Sequence, residues 1–92
     1  MEFVKGDNRF YQEDKDGKLI AEITYKPNDD NTVDADHTFV DESLRGQGIA
    51  EQLVERLAKE MEAEGKKIRP VCPYVITLFD RKPEKYGYIH AK

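Results

Sequence analysis

The chain has 92 residues and a formal net charge of −4, with acidic and basic residues interleaved along its length. That length fits a single domain, residues 1–92, and a domain this size buries only about two-thirds of its unfolded surface, so its core is thin. There is no basic run or basic–aromatic ladder, which excludes nucleic acid as the main partner. No apolar run approaches the ~20 residues that span a bilayer, which excludes the membrane. Met1–Lys5 holds no signal-peptide core and Cys72 is the one cysteine, so no intrachain disulfide forms and the expected location is the cytoplasm.

In chain order, the first forty residues read as extended structure. Asn8–Glu13 is followed by Asp16-Gly17, a dipeptide suited to a hairpin turn. The run Leu19–Tyr25 sets Leu19, Ala21, Ile23 and Tyr25 on one face, and Pro27–Asn31 is a turn by composition. Thr32–Val40 alternates, with Val33, Ala35, His37 and Phe39 on one face and Asp34, Asp36 and Thr38 on the other. Short connections imply an antiparallel meander of three strands.

The period then changes. Ile49, Leu53, Val54, Leu57, Ala58 and Met61 recur at helical spacing, with Gly65 as the stop and Lys66-Lys67 beside the negative end of the helix dipole. Glu55 and Lys59 stand four apart as a favourable pair. Lys67–Val71 reads as a short strand. Pro73 opens a second helix with Val75, Ile76, Leu78 and Phe79 available to bury, Pro83 closes it, and Tyr86–His90 reads as a last edge strand. The order β-β-β-α-β-α predicts an α+β fold with both helices packed on the sheet.

Between the third strand and the long helix lies Asp41-Glu42-Ser43-Leu44-Arg45-Gly46-Gln47-Gly48-Ile49-Ala50. Two glycines one residue apart allow a sharply turned backbone that presents its N–H groups unobstructed. The first N–H groups of the following helix have no internal partner, and its dipole adds partial positive charge, so this is a place where a phosphate can bind. Arg45 adds a cation. The loop lacks the spacer and Lys-Ser/Thr ending of a P-loop, and also the third glycine of the dinucleotide fingerprint. Taken by themselves, the two glycines are equally compatible with a tight connection that binds nothing.

The motif Arg45-Gly46-Gln47-Gly48-Ile49-Ala50 between a strand and a helix resembles the diagnostic loop of the GNAT acetyltransferase superfamily. The stretches His37-Thr38-Phe39-Val40, Leu44–Ala50 and Pro70-Val71-Cys72-Pro73-Tyr74-Val75 are similar to those of its small single-domain members. The resemblance implies a compact GNAT-like fold and acetyl-CoA as cofactor. The pyrophosphate would be gripped by the backbone of Arg45, Gly46, Gln47, Gly48, Ile49 and Ala50, with Phe39 and Val40 lining the pantetheine arm. A backbone N–H near Val40 would face the developing oxyanion. The acceptor would be a small-molecule or protein amine. The chain departs from larger GNAT enzymes in having no two-helix segment after the first strand, where they build their acceptor site. A CoA or acyl-CoA binding module without turnover is therefore the competing function, and a homodimer is one way to complete the surface.

Two candidate catalytic residues follow. Cys72 stands at the cap of the second helix, where a thiol's pKa is lowered. The resemblance places it near the acetyl group, as nucleophile or proton-transfer group; its ordinary alternative is a small buried core residue. His37 is a base for an amine acceptor or, equally on its pattern, a core histidine bonded to backbone. By the same resemblance Tyr74, Tyr86 and Tyr88 are candidates to protonate a departing thiolate, and the ordinary alternative for each is core or rim packing. One cysteine and two distant histidines form no metal-ligand spacing.

Overall fold

A computed structural model describes residues 1–91. Strands β1 (Val4–Gly6), β2 (Arg9–Glu13), β3 (Leu19–Pro27) and β4 (Thr32–Val40) form an antiparallel meander. Helix α1 (Ile49–Glu64) crosses over to β5 (Lys67–Pro70), parallel to β4, and helices α2 (Pro73–Arg81) and α3 (Pro83–Tyr86) follow. The expected α+β architecture is present, with one strand more at the start. β1 has only three residues and an exposed Val4, too little for a hydrophobic pattern to reveal. Asn8, at φ 56, makes the turn that pairs it with β2, a backbone conformation asparagine tolerates better than most residues.

The apolar stripe of α1 is the one its spacing predicts. Ile49, Leu53, Val54, Leu57, Ala58 and Met61 are all buried, against Phe10, Ala21, Ile23, Tyr25, Val33, Ala35 and Ile68 of the sheet. Burying a side chain such as Leu53 or Leu57 is worth about 1.5–3 kcal/mol. Gly65, at φ 71, ends the helix, and the N–H of Lys66 reaches back to the carbonyl of Met61 at 2.8 Å. Glu55 turns to Lys85 rather than Lys59, and the i,i+4 pair formed is Arg56–Glu60. Val75, Leu78 and Phe79 of α2 and Tyr86 of α3 join the same core, whereas Ile76 is half exposed and not part of the buried face.

Two further sequence expectations are corrected. Tyr86–His90 is not an edge strand, because Pro83 starts a helix rather than merely ending one. Among the described residues, the chain after Tyr86 makes one isolated bridge, Ile68 with His90, anchored by Ile68 N–H to the carbonyl of Ile89 at 2.7 Å. The second correction matters more. Thr24 pairs with His37 and Tyr25 with Ala35, so Asp36 is an extra residue in β4. This bulge reverses the alternation. Val33 and Ala35 face the core; beyond Asp36 it is Thr38 and Val40 that turn to the helix side, while exposed His37 and half-buried Phe39 lie opposite with Thr24 and Glu22. Among the described residues, none on that opposite face is buried. Its charges pair across strands, Arg9 with Glu22 at 2.6 Å and Arg69 with Asp34 at 2.9 Å.

Candidate active site

β4 and β5 pair only from Thr32–Lys67 to Ala35–Pro70. There the N–H groups of Val71 and Cys72 both donate to the carbonyl of Ala35, at 3.1 and 2.8 Å, and the chain leaves the sheet to start α2. The rest of β4, from the bulge to Val40, pairs with β3 alone. Asp41 N–H donates to Ile20 of β3 at 2.8 Å, so alternation along the strand turns the N–H groups of Val40 and Thr38 the other way, into the gap that β5 leaves.

The glycine loop closes one end of this gap. Asp41 accepts hydrogen bonds from the hydroxyl and N–H of Ser43, at 2.6 and 3.1 Å, which hold its carboxyl below the ordinary range and shape a single 3-10 turn over Glu42–Leu44. Gly46 and Gly48 then take φ 83 and 73, the left-handed region that favours glycine. No side chain of the described residues caps the start of α1. Among the described residues, the backbone N–H groups from Gly46 through Glu51 find no hydrogen-bond acceptor. Gly46, Gly48, Ile49 and Ala50 of this run line a pocket of about 240 Å³ together with Val40, Leu44, Arg45 and Tyr74. The guanidinium of Arg45 is exposed and makes no ion pair among the described residues.

Most of the expected cofactor positions therefore meet in one pocket. Gln47 belongs to the loop but does not line the pocket, and Phe39 lies across the sheet from it. Leu44 and Tyr74 are additions. Tyr74 comes forward because Pro73 sets the first turn of α2 so that Val75 is buried and its neighbour turns outward. Burial first, then the charges of Glu51 and Glu55, raise its phenol pKa. The other tyrosines separate by place: Tyr86 is buried with its hydroxyl on Glu51 at 2.7 Å, and Tyr88 is exposed.

Cys72 is the N-cap of α2 and is buried, with Sγ 3.3 Å from the hydroxyl of Thr38. Burial is the largest single influence on this thiol and pushes its pKa up. The Thr38 hydroxyl and the N–H groups of Val75, Tyr74 and Thr38 together outweigh burial, and the net pKa lies below the ordinary value of 9.0. His37, next in sequence to Thr38, projects from the uncovered face, so the two candidate catalytic side chains approach the gap from opposite sides of the sheet. Thr38 escaped the sequence reading because simple alternation sets it away from the core, and nothing in the sequence announces the bulge.

The sequence profile described as GCN5-related N-acetyl-transferase matches residues 9–89. The chain belongs to that family. A GCN5-like protein from Staphylococcus aureus, solved by NMR in solution, superposes with a TM-score of 0.81 at 30% identity, covering 98% of this chain and 87% of that one. Among curated proteins no match is found. Family membership supports an acetyltransferase function for this GNAT chain.

Proposed function

We propose that this GNAT chain binds acetyl-CoA in the gap between β4 and α2 and transfers the acetyl group to an amine. The observation that carries the reading is the run of N–H groups from Gly46 to Glu51, unpaired among the described residues, of which Gly46, Gly48, Ile49 and Ala50 line one pocket with Val40 and Tyr74. Pyrophosphate oxygens accept from these N–H groups beside Arg45. The pantetheine arm follows the free edge of β4, and the thioester lies between Val40 and Cys72. The amine attacks the thioester carbonyl, and the oxyanion that forms accepts from the Val40 N–H. His37 takes the amine's proton on the uncovered face, where the acceptor has access. As the C–S bond breaks, Tyr74 gives its proton to the CoA sulfur.

The lowered Cys72 thiol favours a second route at the same site. Its thiolate attacks the carbonyl, CoA leaves as a thiolate protonated by Tyr74, and the amine then takes the acetyl group from Cys72. Normal transfer by Cys72→Ala at unchanged stability excludes this route. The uncovered sheet face keeps a third outcome open, CoA binding without efficient turnover. Calorimetry with acetyl-CoA and desulfo-CoA, on the wild type and on Gly48→Glu, tests the cofactor site. Binding by the wild type alone supports it, and no binding by a folded wild type removes it. An amine panel with acetyl-CoA then separates enzyme from binding module.

A further inference from the structure

The two walls of the pocket are far apart in sequence: Gly48, Ile49 and Ala50 begin α1, and Tyr74 lies in the first turn of α2. The side-chain hydrogen bonds that join the first two turns of α1 to the segment after α2 all end on two carboxylates. Glu51 accepts from the hydroxyl of Tyr86 at 2.7 Å, from Lys82 Nζ at 3.0 and 3.2 Å and from Lys85 Nζ at 3.0 Å, and Glu55 accepts from Lys85 at 2.6 Å. Tyr86 is 2% exposed and its ring stacks on Phe79 of α2, centroids 5.1 Å apart, so packing fixes the direction of its hydroxyl. A continuous route therefore runs from the first turn of α1 through Glu51, Tyr86 and Phe79 into α2.

Glu51 is also unusual in its setting. A carboxylate in the first turn suits the helix dipole but repels a phosphate held at the same end. Two ammonium groups, Lys82 and Lys85, offset that repulsion. The hydrogen bond from Tyr86, then those from the lysines, hold the carboxyl at about 2 against the opposing effect of burial, so it stays ionised at neutral pH.

We propose that Glu51 and Tyr86 are positioning residues that clamp the first turn of α1 to the α2–α3 segment and so set the width of the pocket that takes the pantetheine arm. The inference rests on the cofactor reading above for the identity of that ligand, but not for the clamp itself. Tyr86→Phe keeps the ring and every charge and removes one hydroxyl. ADP, which carries a pyrophosphate and no pantetheine, is expected to bind this variant within about twofold of wild type. CoA is expected to bind about tenfold more weakly, the equivalent of about one hydrogen bond to a charged group.

A second readout needs no ligand. Cys72 is the chain's only thiol, and its alkylation by iodoacetamide well below the melting temperature is expected to accelerate several-fold in Tyr86→Phe. Glu51→Gln leaves Lys82 without its carboxylate partner and Lys85 with Glu55 alone. It should bind ADP more tightly than wild type while losing the preference for CoA over ADP, opposite signs that a misfolded protein does not produce; if Tyr86→Phe fails to fold, this variant carries the test. Equal loss of ADP and CoA affinity, or unchanged alkylation, overturns the proposal. Faster alkylation in a protein that binds neither probe supports the clamp and removes the cofactor reading instead.

Discussion

The two halves of β4 make different use of the same strand. Thr32–Ala35 lies between β3 and β5 with Val33 and Ala35 fully buried, and its role is to hold the core. Asp36–Val40 pairs on one side only among the described residues, has no fully buried side chain and carries three groups of the proposed site: Thr38 beside the thiol, Val40 with its N–H in the gap, His37 on the open face. A residue inserted between the halves, Asp36, separates scaffold from site. Its carboxylate accepts from the Thr24 hydroxyl at 2.6 Å, so the bulge is held and not merely tolerated. A bulge at the point where pairing ends re-aims side chains without disturbing the core that precedes it.

The largest effect should come from breaking the scaffold half. Val33→Asp places an unpaired carboxylate in the core, a change worth more than about 4 kcal/mol, and the expected outcome is a chain with no cooperative melt. Gly48→Glu tests the far end of the gap: acetyl-CoA binding should fall at least about a hundredfold, while left-handed strain costs only about 1–2 kcal/mol of stability by denaturant titration. Binding within threefold of wild type would contradict the phosphate assignment.

Within the site half, effects should move from stability to chemistry. His37→Ala removes an exposed side chain, so its melting temperature should barely change while acetyl transfer slows about a hundredfold at neutral pH. An unchanged rate would take the proton to another group. Thr38→Val keeps the shape and loses the hydroxyl, so the midpoint of Cys72 alkylation against pH should move upward, and Thr38→Ser should restore it. A midpoint insensitive to Thr38→Val would leave the backbone N–H groups of Val75, Tyr74 and Thr38 as the whole cause.

The smallest expected effect concerns the clamp. The Glu51 carboxyl is lowered from its ordinary 4.5 to about 2, so its stabilising contribution is complete above about pH 4.5 and is lost as pH falls towards 2. The groups facing it are Tyr86, Lys82 and Lys85, with Glu55 beyond Lys85, and the lysines stay charged throughout that window. The difference in melting temperature between wild type and Glu51→Gln should therefore be constant from pH 7 to 5 and shrink below pH 4. A difference independent of pH would show that the charge of Glu51 contributes nothing.

Much of this could be read from local pattern. The strands from Arg9 to Val40, the stripe of α1, its stop at Gly65, the start of α2 at Pro73 and the glycine loop are all set by residues close in sequence, through alternation, helical spacing and turn chemistry. β1 and the tail were not legible, because a three-residue edge and a proline that both ends and begins a helix leave no periodic signal. The face of His37 was read from unbroken alternation and came out reversed.

What the sequence by itself determined is the α+β class, the order of elements from β2 to α2 and the turned glycine loop before the long helix, since these depend on short-range backbone preferences. Only the tertiary structure decided which face of β4 meets Cys72, which tyrosine lines the pocket and how Glu51 is neutralised. Those outcomes depend on where strand pairing ends and on how distant segments pack, and a register shift of one residue is enough to move every side chain after it to the other side of the sheet.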